Sequence, residues 1–207
     1  VSASGSDWVE IFVMDTGSGQ LLSDHIKWVK FSGANWAADS RGFYYSRYDE
    51  PAAGRELSAQ HRPQMVYYHR LGDLQADDKL IYRDDKHPLR YFHGAESEDG
   101  KYLFIEASEG TSGSEILYRE TAKPHVPFRV LFHGFLYDYS IAYCRDDIAY
   151  VYTNDGAPNF RLGRLNLNKI SFDLSVVDPD DMALLNPDLE DVIPESGNRL
   201  NDVSVVG

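Results

Sequence analysis

A single cysteine, Cys144, stands in a chain of 207 residues, so no internal disulfide framework can form. Its neighbours Ile141-Ala142-Tyr143 suit a small buried apolar residue rather than a nucleophile, and the redox compartment stays open. Basic residues are also scarce. Twenty Lys and Arg face 33 Asp and Glu, a net charge of -13, which excludes a phosphate-binding surface and with it nucleic acid as a partner. The acidity reads as a solubility device, or more sharply as a field attracting cationic peptides. No run approaches the roughly 18 apolar residues needed to cross a bilayer as a helix, and no basic-then-apolar leader opens the chain, so no membrane partner is expected. The opening Val1-Ser-Ala-Ser-Gly-Ser-Asp7, without Met, reads as an internal piece of something longer.

What is present favours strands. Fourteen Tyr, ten Phe, 16 Gly and nine Pro describe aromatic pleated surfaces punctuated by turns, and an all-β chain of this length stays within one domain. One unit recurs. Glu98-Asp99-Gly100 is a tight-turn signal leading into the apolar run Tyr102 to Ile105. Asn35 to Gly42 leads likewise into Phe43 to Arg47, and Cys144 to Asp147 into Ile148 to Thr153. Strands are expected at Trp8–Met14, Gly33–Trp36, Phe43–Tyr48, Met65–Arg70, Lys79–Arg83, Arg90–Glu96, Tyr102–Ala107, Glu115–Arg119, Phe128–Phe132, Tyr137–Tyr143, Ile148–Thr153 and Phe160–Asn166, with another near Val192. Four short strands in about 45 to 60 residues match a propeller blade rather than a helical solenoid unit. The expected fold is an all-β partial propeller of four-stranded antiparallel blades: a partial blade over 1–30, blades over 31–89, 90–133 and 134–194, and the start of the next over 195–207, with Leu200 to Val206 its first strand. Asp49 to Arg62 reads as a polar loop insertion and Met182 to Leu185 as a short helical turn.

Catalytic signatures are missing. No Gly-x-Ser-x-Gly elbow occurs, Gly110-Thr-Ser-Gly113 lacking the spacing. Gly17-Ser-Gly19 is not followed by the third glycine of a dinucleotide loop, and no phosphate loop is present. The seven histidines show no metal-type helical pair and read as surface or strand-end residues. The pairs Asp77-Asp78, Asp84-Asp85, Asp146-Asp147 and Asp180-Asp181 read first as turn formers; calcium ligation or a glycosidase couple is the alternative. No cofactor or metal is expected.

A series of short matches adds a direction. Ser4-Gly-Ser-Asp-Trp8, Val29-Lys-Phe-Ser32 with Trp36, Gly42-Phe-Tyr-Tyr-Ser-Arg-Tyr48, Val66-Tyr-Tyr-His-Arg-Leu-Gly72, Gly94-Ala-Glu-Ser-Glu-Asp-Gly-Lys-Tyr102 and Pro158-Asn-Phe-Arg-Leu162 together resemble the N-terminal propeller of prolyl oligopeptidase, also called prolyl endopeptidase. The resemblance implies the middle blades of a seven-bladed propeller set over an α/β-hydrolase domain of the same parent chain, which carries the Ser-His-Asp triad and cleaves short proline-containing peptides. It implies further that Phe31 and Phe92 help line a nonpolar substrate subsite. Around the Glu-Gly turn, where other members carry Arg and Cys, this chain has Ser108 and Thr111. By that resemblance the parent is cytoplasmic, with a periplasmic or exported location left open.

The expected function is therefore a noncatalytic propeller segment of a serine peptidase that gates access and lines a subsite. The alternative is a stand-alone propeller-like interaction module without peptidase activity. Open blade faces also imply self-association of the isolated chain.

Overall fold

The computed structural model describes residues 7–51, 63–170 and 186–205. Its strands are β1 (Val9–Met14), β2 (Leu21–Trp36), β3 (Gly42–Arg47), β4 (Met65–Arg70), β5 (Lys79–Tyr82), β6 (Tyr91–Glu96), β7 (Tyr102–Ser108), β8 (Ser114–Glu120), β9 (Arg129–Phe132), β10 (Tyr139–Arg145), β11 (Ile148–Thr153), β12 (Arg161–Asn166) and β13 (Glu190–Ile193). Single 3-10 turns at Gln75–Asp77 and Leu167–Lys169 are the only helical elements among the described residues. The strands form three sheets in chain order, β1 to β5, β6 to β9 and β10 to β13. The chain divides into two compact units, Val1–Ala95 and Glu96–Gly207.

In the first unit, β2 is one strand in two ladders. It runs antiparallel to β1 through Ile11↔Ile26 and Phe12↔His25, and antiparallel to β3 through Val29↔Arg47 and Trp36↔Phe43. The blade boundary expected at residue 30 therefore falls inside a strand. The physical reason is a bulge: the register shifts between Val29 and Ala34, and Trp28 and Phe31 adopt φ of 63° and 53°, so the strand turns without ending. Val13, Ile26, Val29, Phe43 and Tyr45 form the buried core, with Ile11 and Tyr67 packed against it. At the start of β3 the backbone runs so close to β4 that a Cβ on Gly42 would lie 2.1 Å from the His69 carbonyl oxygen; only glycine fits there.

In the second unit, β7 to β13 bury Phe104, Ile116, Phe132, Tyr139, Cys144 and Val151 in one cluster. Cys144 is closed off, and burial, with Asp99 and Asp147 nearby, pushes its thiol up to about 12, which makes it an inert filler. Buried tyrosines tie sheets to turns: Tyr102 donates to Asp147 Oδ1 at 2.6 Å and Tyr139 to Asp155 Oδ2 at 2.6 Å. The strand expected from Leu200 does not form over residues 200–205. The Leu200 amide donates to the Asn159 carbonyl at 2.8 Å, its carbonyl accepts from the Tyr152 hydroxyl, and Arg199 lies over the Phe160 ring. These contacts fasten the segment across the ends of β11 and β12 instead. The expected helical turn at 182–185, the pair Asp180-Asp181 and most of the expected insertion lie outside the described residues.

The remaining acid pairs work as turn and strand ties. Asp84 accepts from the Lys86 amide at 2.9 Å and from His87 Nδ1 at 2.8 Å, and Asp147 gathers Lys101, Tyr102 and Asn168. One histidine corrects the expectation for all seven: His69 is 0% exposed, with both ring nitrogens on carboxylates.

Candidate functional site

Phe31 stands in the left-handed region of backbone space, where a side chain is strained, and the residue is 54% exposed. Its edge meets Tyr91, the first residue of β6, with centroids 5.4 Å apart and planes at 86°. The Lys30 ammonium lies 5.0 Å from the Phe31 centroid and 5.8 Å from that of Trp8, and pairs with Asp7 at 2.9 Å. Trp8 in turn packs edge-on against Trp28 and Tyr48. Burial, with Tyr91 nearby, pushes the Tyr48 hydroxyl up to about 12. The result is a partly open aromatic group built around one cation.

Phe92 is placed differently. It is 0% exposed and its ring packs on Tyr82 at 5.1 Å. The backbone of β6 is fastened around it: the Phe92 amide donates to Gln64 Oε1 at 2.6 Å, and its carbonyl accepts from the Ser46 hydroxyl. Gln64 also donates to the Lys30 carbonyl at 2.8 Å, and Asn35 to the Gly94 carbonyl at 2.9 Å. Since side chains alternate along a strand, Tyr91 and His93 face away from that packed side. In this structure Phe92 has no surface to offer a ligand, and the open ring on β6 is the residue before it.

In the second unit, Ser108 ends β7 opposite Ser114 and is half-buried, while Thr111 is exposed in the connecting loop. Gly113 closes that loop at φ 79°, where an added Cβ would lie 1.9 Å from the Phe135 carbonyl oxygen, and its amide donates to Asp138 Oδ1 at 2.6 Å. Two residues before Ser108 on the same side of β7 is Glu106. Burial pushes its carboxyl up to about 6, against the opposing hydrogen bond from Ser140. Sequence reasoning passed over Tyr91, Lys30 and Glu106 as site residues. Lys30 was legible as the neighbour of Phe31, whereas Glu106 carried no signal before its burial was known. Among the described residues no group of three or more His, Cys, Asp or Glu is arranged to hold a metal.

Successive antiparallel sheets of four or five short strands, each wound in chain order, define the class as a segment of a β-propeller. The profile of the prolyl oligopeptidase N-terminal β-propeller domain matches residues 1–206. The chain belongs to that family. It is 38% identical over 162 residues to the prolyl endopeptidase of Elizabethkingia meningoseptica, covering 78% of this chain and 23% of the relative. It is 33% identical to a dual function macrocyclase-peptidase of Galerina marginata, covering 94% and 27%. Among solved structures it resembles a prolyl endopeptidase at TM-score 0.78 and 27% identity, with 98% of this chain and 27% of the other aligned. Apo prolyl oligopeptidase B from Galerina marginata gives 0.77 and 29%, with 98% and 28% aligned. The chain thus spans about a quarter of the length of these relatives.

Proposed function

We propose that this chain is the noncatalytic propeller segment of a serine peptidase that hydrolyses short peptides after proline, where it gates access and contributes a subsite wall. The carrying observation is the family match over residues 1–206, joined to an aromatic ring, Phe31, held exposed on a strained backbone. The partner in this reading is the α/β-hydrolase domain of the parent, and the ligands are short proline-containing peptides; a Galerina marginata relative has been solved with a 25mer macrocyclization substrate. Phe31 supplies the apolar contact and Tyr91 its flank. In the second unit, Ser108 and Thr111 offer hydroxyls that accept or donate hydrogen bonds. Phe92 enters as the packed support that holds β6, and no cofactor is invoked.

Two measurements test this. The isolated chain is expected to leave a Gly-Pro reporter peptide uncleaved; turnover abolished by a serine-reactive phosphonate would overturn the noncatalytic assignment. In the full-length enzyme, Phe31→Ala is expected to raise KM for that reporter about tenfold with kcat little changed, the mark of lost binding common to ground and transition states. An unchanged KM removes Phe31 from the subsite.

A further inference from the structure

The first unit contains a buried charge assembly that the propeller reading does not use. His69, on β4, points Nδ1 at Asp78 Oδ1 at 2.7 Å and Nε2 at Asp24 Oδ1 at 3.0 Å, and the side chains of all three are 0–1% exposed. Both ring nitrogens are thus engaged, each by a different carboxyl group. Around it lie groups from every neighbouring segment. Asp24 comes from β2 and also accepts from the Gly72 amide at 2.6 Å. Asp78, just before β5, also accepts from the Tyr45 hydroxyl of β3, and the Phe43 ring lies 5.1 Å from that of His69. Burial opposes ionisation of Asp24, but the Gly72 amide and His69 outweigh it and hold the carboxyl below the usual range.

The location gives this assembly a task. From Leu21 to Lys27, β2 has its ladder with β1 on one edge, while its pairing with β3 begins at Val29. Two polar devices from the turn between β4 and β5 reach this stretch. One is the Asp24 cluster. The other is Gln75, whose side chain accepts from the Lys27 amide at 3.0 Å and donates to the Lys27 carbonyl at 2.9 Å, replacing a strand partner. We propose that the turn Leu71–Asp78, pinned by His69 between Asp24 and Asp78, is a latch that holds the β1–β2 hairpin onto the β3–β4–β5 sheet and can be released without unfolding that sheet. A buried hydrogen-bonded cluster suits a latch because it is all or none: once one partner is withdrawn, the rest are left buried and unsatisfied. A freed two-stranded hairpin is at best marginally stable in water, so release is visible as loss of its amide protection.

Hydrogen exchange on the wild-type chain and on Asp24→Asn and His69→Gln tests the latch. In both variants the amides of Leu21–Lys27 are expected to exchange about tenfold faster or more, while those of Gly42–Arg47 keep their wild-type rate. Equal acceleration of both segments, or of neither, overturns the proposal. Should neither variant fold, native-state exchange of the wild type in rising denaturant carries the test. The hairpin must then open before Gly42–Arg47, and simultaneous opening overturns it.

Discussion

Glu106 shows how far a single side chain can depart from what its letter implies. Glutamates on strands mostly face solvent, yet the Glu106 carboxyl is half-buried and pushed by burial up to about 6 from the ordinary 4.5. The folded state therefore holds a proton that the unfolded chain has already released between those two values. Stability falls as pH rises through that window, by about 2 kcal/mol in all. Glu106→Gln removes the dependence, and denaturant melts at pH 4.5 and 7 are expected to show the variant gaining on the wild type only at the higher pH. A variant that loses stability equally at both values would mean that the hydrogen bond with Ser140 dominates. His69 and Phe92 are the other residues whose surroundings were not legible. The carboxylates that hold His69 lie 9 and 45 positions away, beyond any local pattern. In Tyr91-Phe92 both residues are aromatic, so alternation alone did not say which ring faces the core.

At the level of strands the sequence was more informative. Met65–Arg70 and Ile148–Thr153 are bounded as expected, because aromatic and β-branched runs flanked by turn residues leave little freedom in register. What failed were the ends decided by tertiary contacts: β2 continues through its bulge because β1 and β3 grip it from opposite sides, and Leu200 forms no strand because Tyr152 and Asn159 engage its backbone. Side chains hold β6 in the same way, with Gln64, Ser46 and Asn35 bonded to its backbone and Phe92 filling the space beneath. Phe92→Ala is expected to destabilise the chain by about 3–5 kcal/mol through lost burial and the cavity left behind. Denaturant unfolding measures this, and a cost near zero would mean that β6 is held by its backbone bonds alone. Of the four residues expected to face a substrate, Phe31 and Thr111 are exposed, Ser108 is half-buried and Phe92 is buried, a difference that the fold sets and residue identity does not.

For the molecule as a whole, the question is what its open surfaces do. The outer side of the β1–β2 hairpin exposes Phe12, Met14 and Leu21 together, and Val192 and Ile193 are exposed on β13. Apolar strand surfaces of this kind pair with further chains when nothing covers them. The isolated chain is expected to associate with itself at micromolar concentration, more strongly as salt screens its charge of -13; sedimentation at two ionic strengths measures it, and a monodisperse monomer at both contradicts it. Phe31 presents the same tension within one residue. Its left-handed backbone costs a non-glycine residue about 1–2 kcal/mol, and its apolar ring is left half in water. Backbone and side chain both give up stability at this position, offset in part by the edge of Tyr91 and the Lys30 ammonium, so the exposed ring of Phe31 is a local cost that the rest of its unit has to carry.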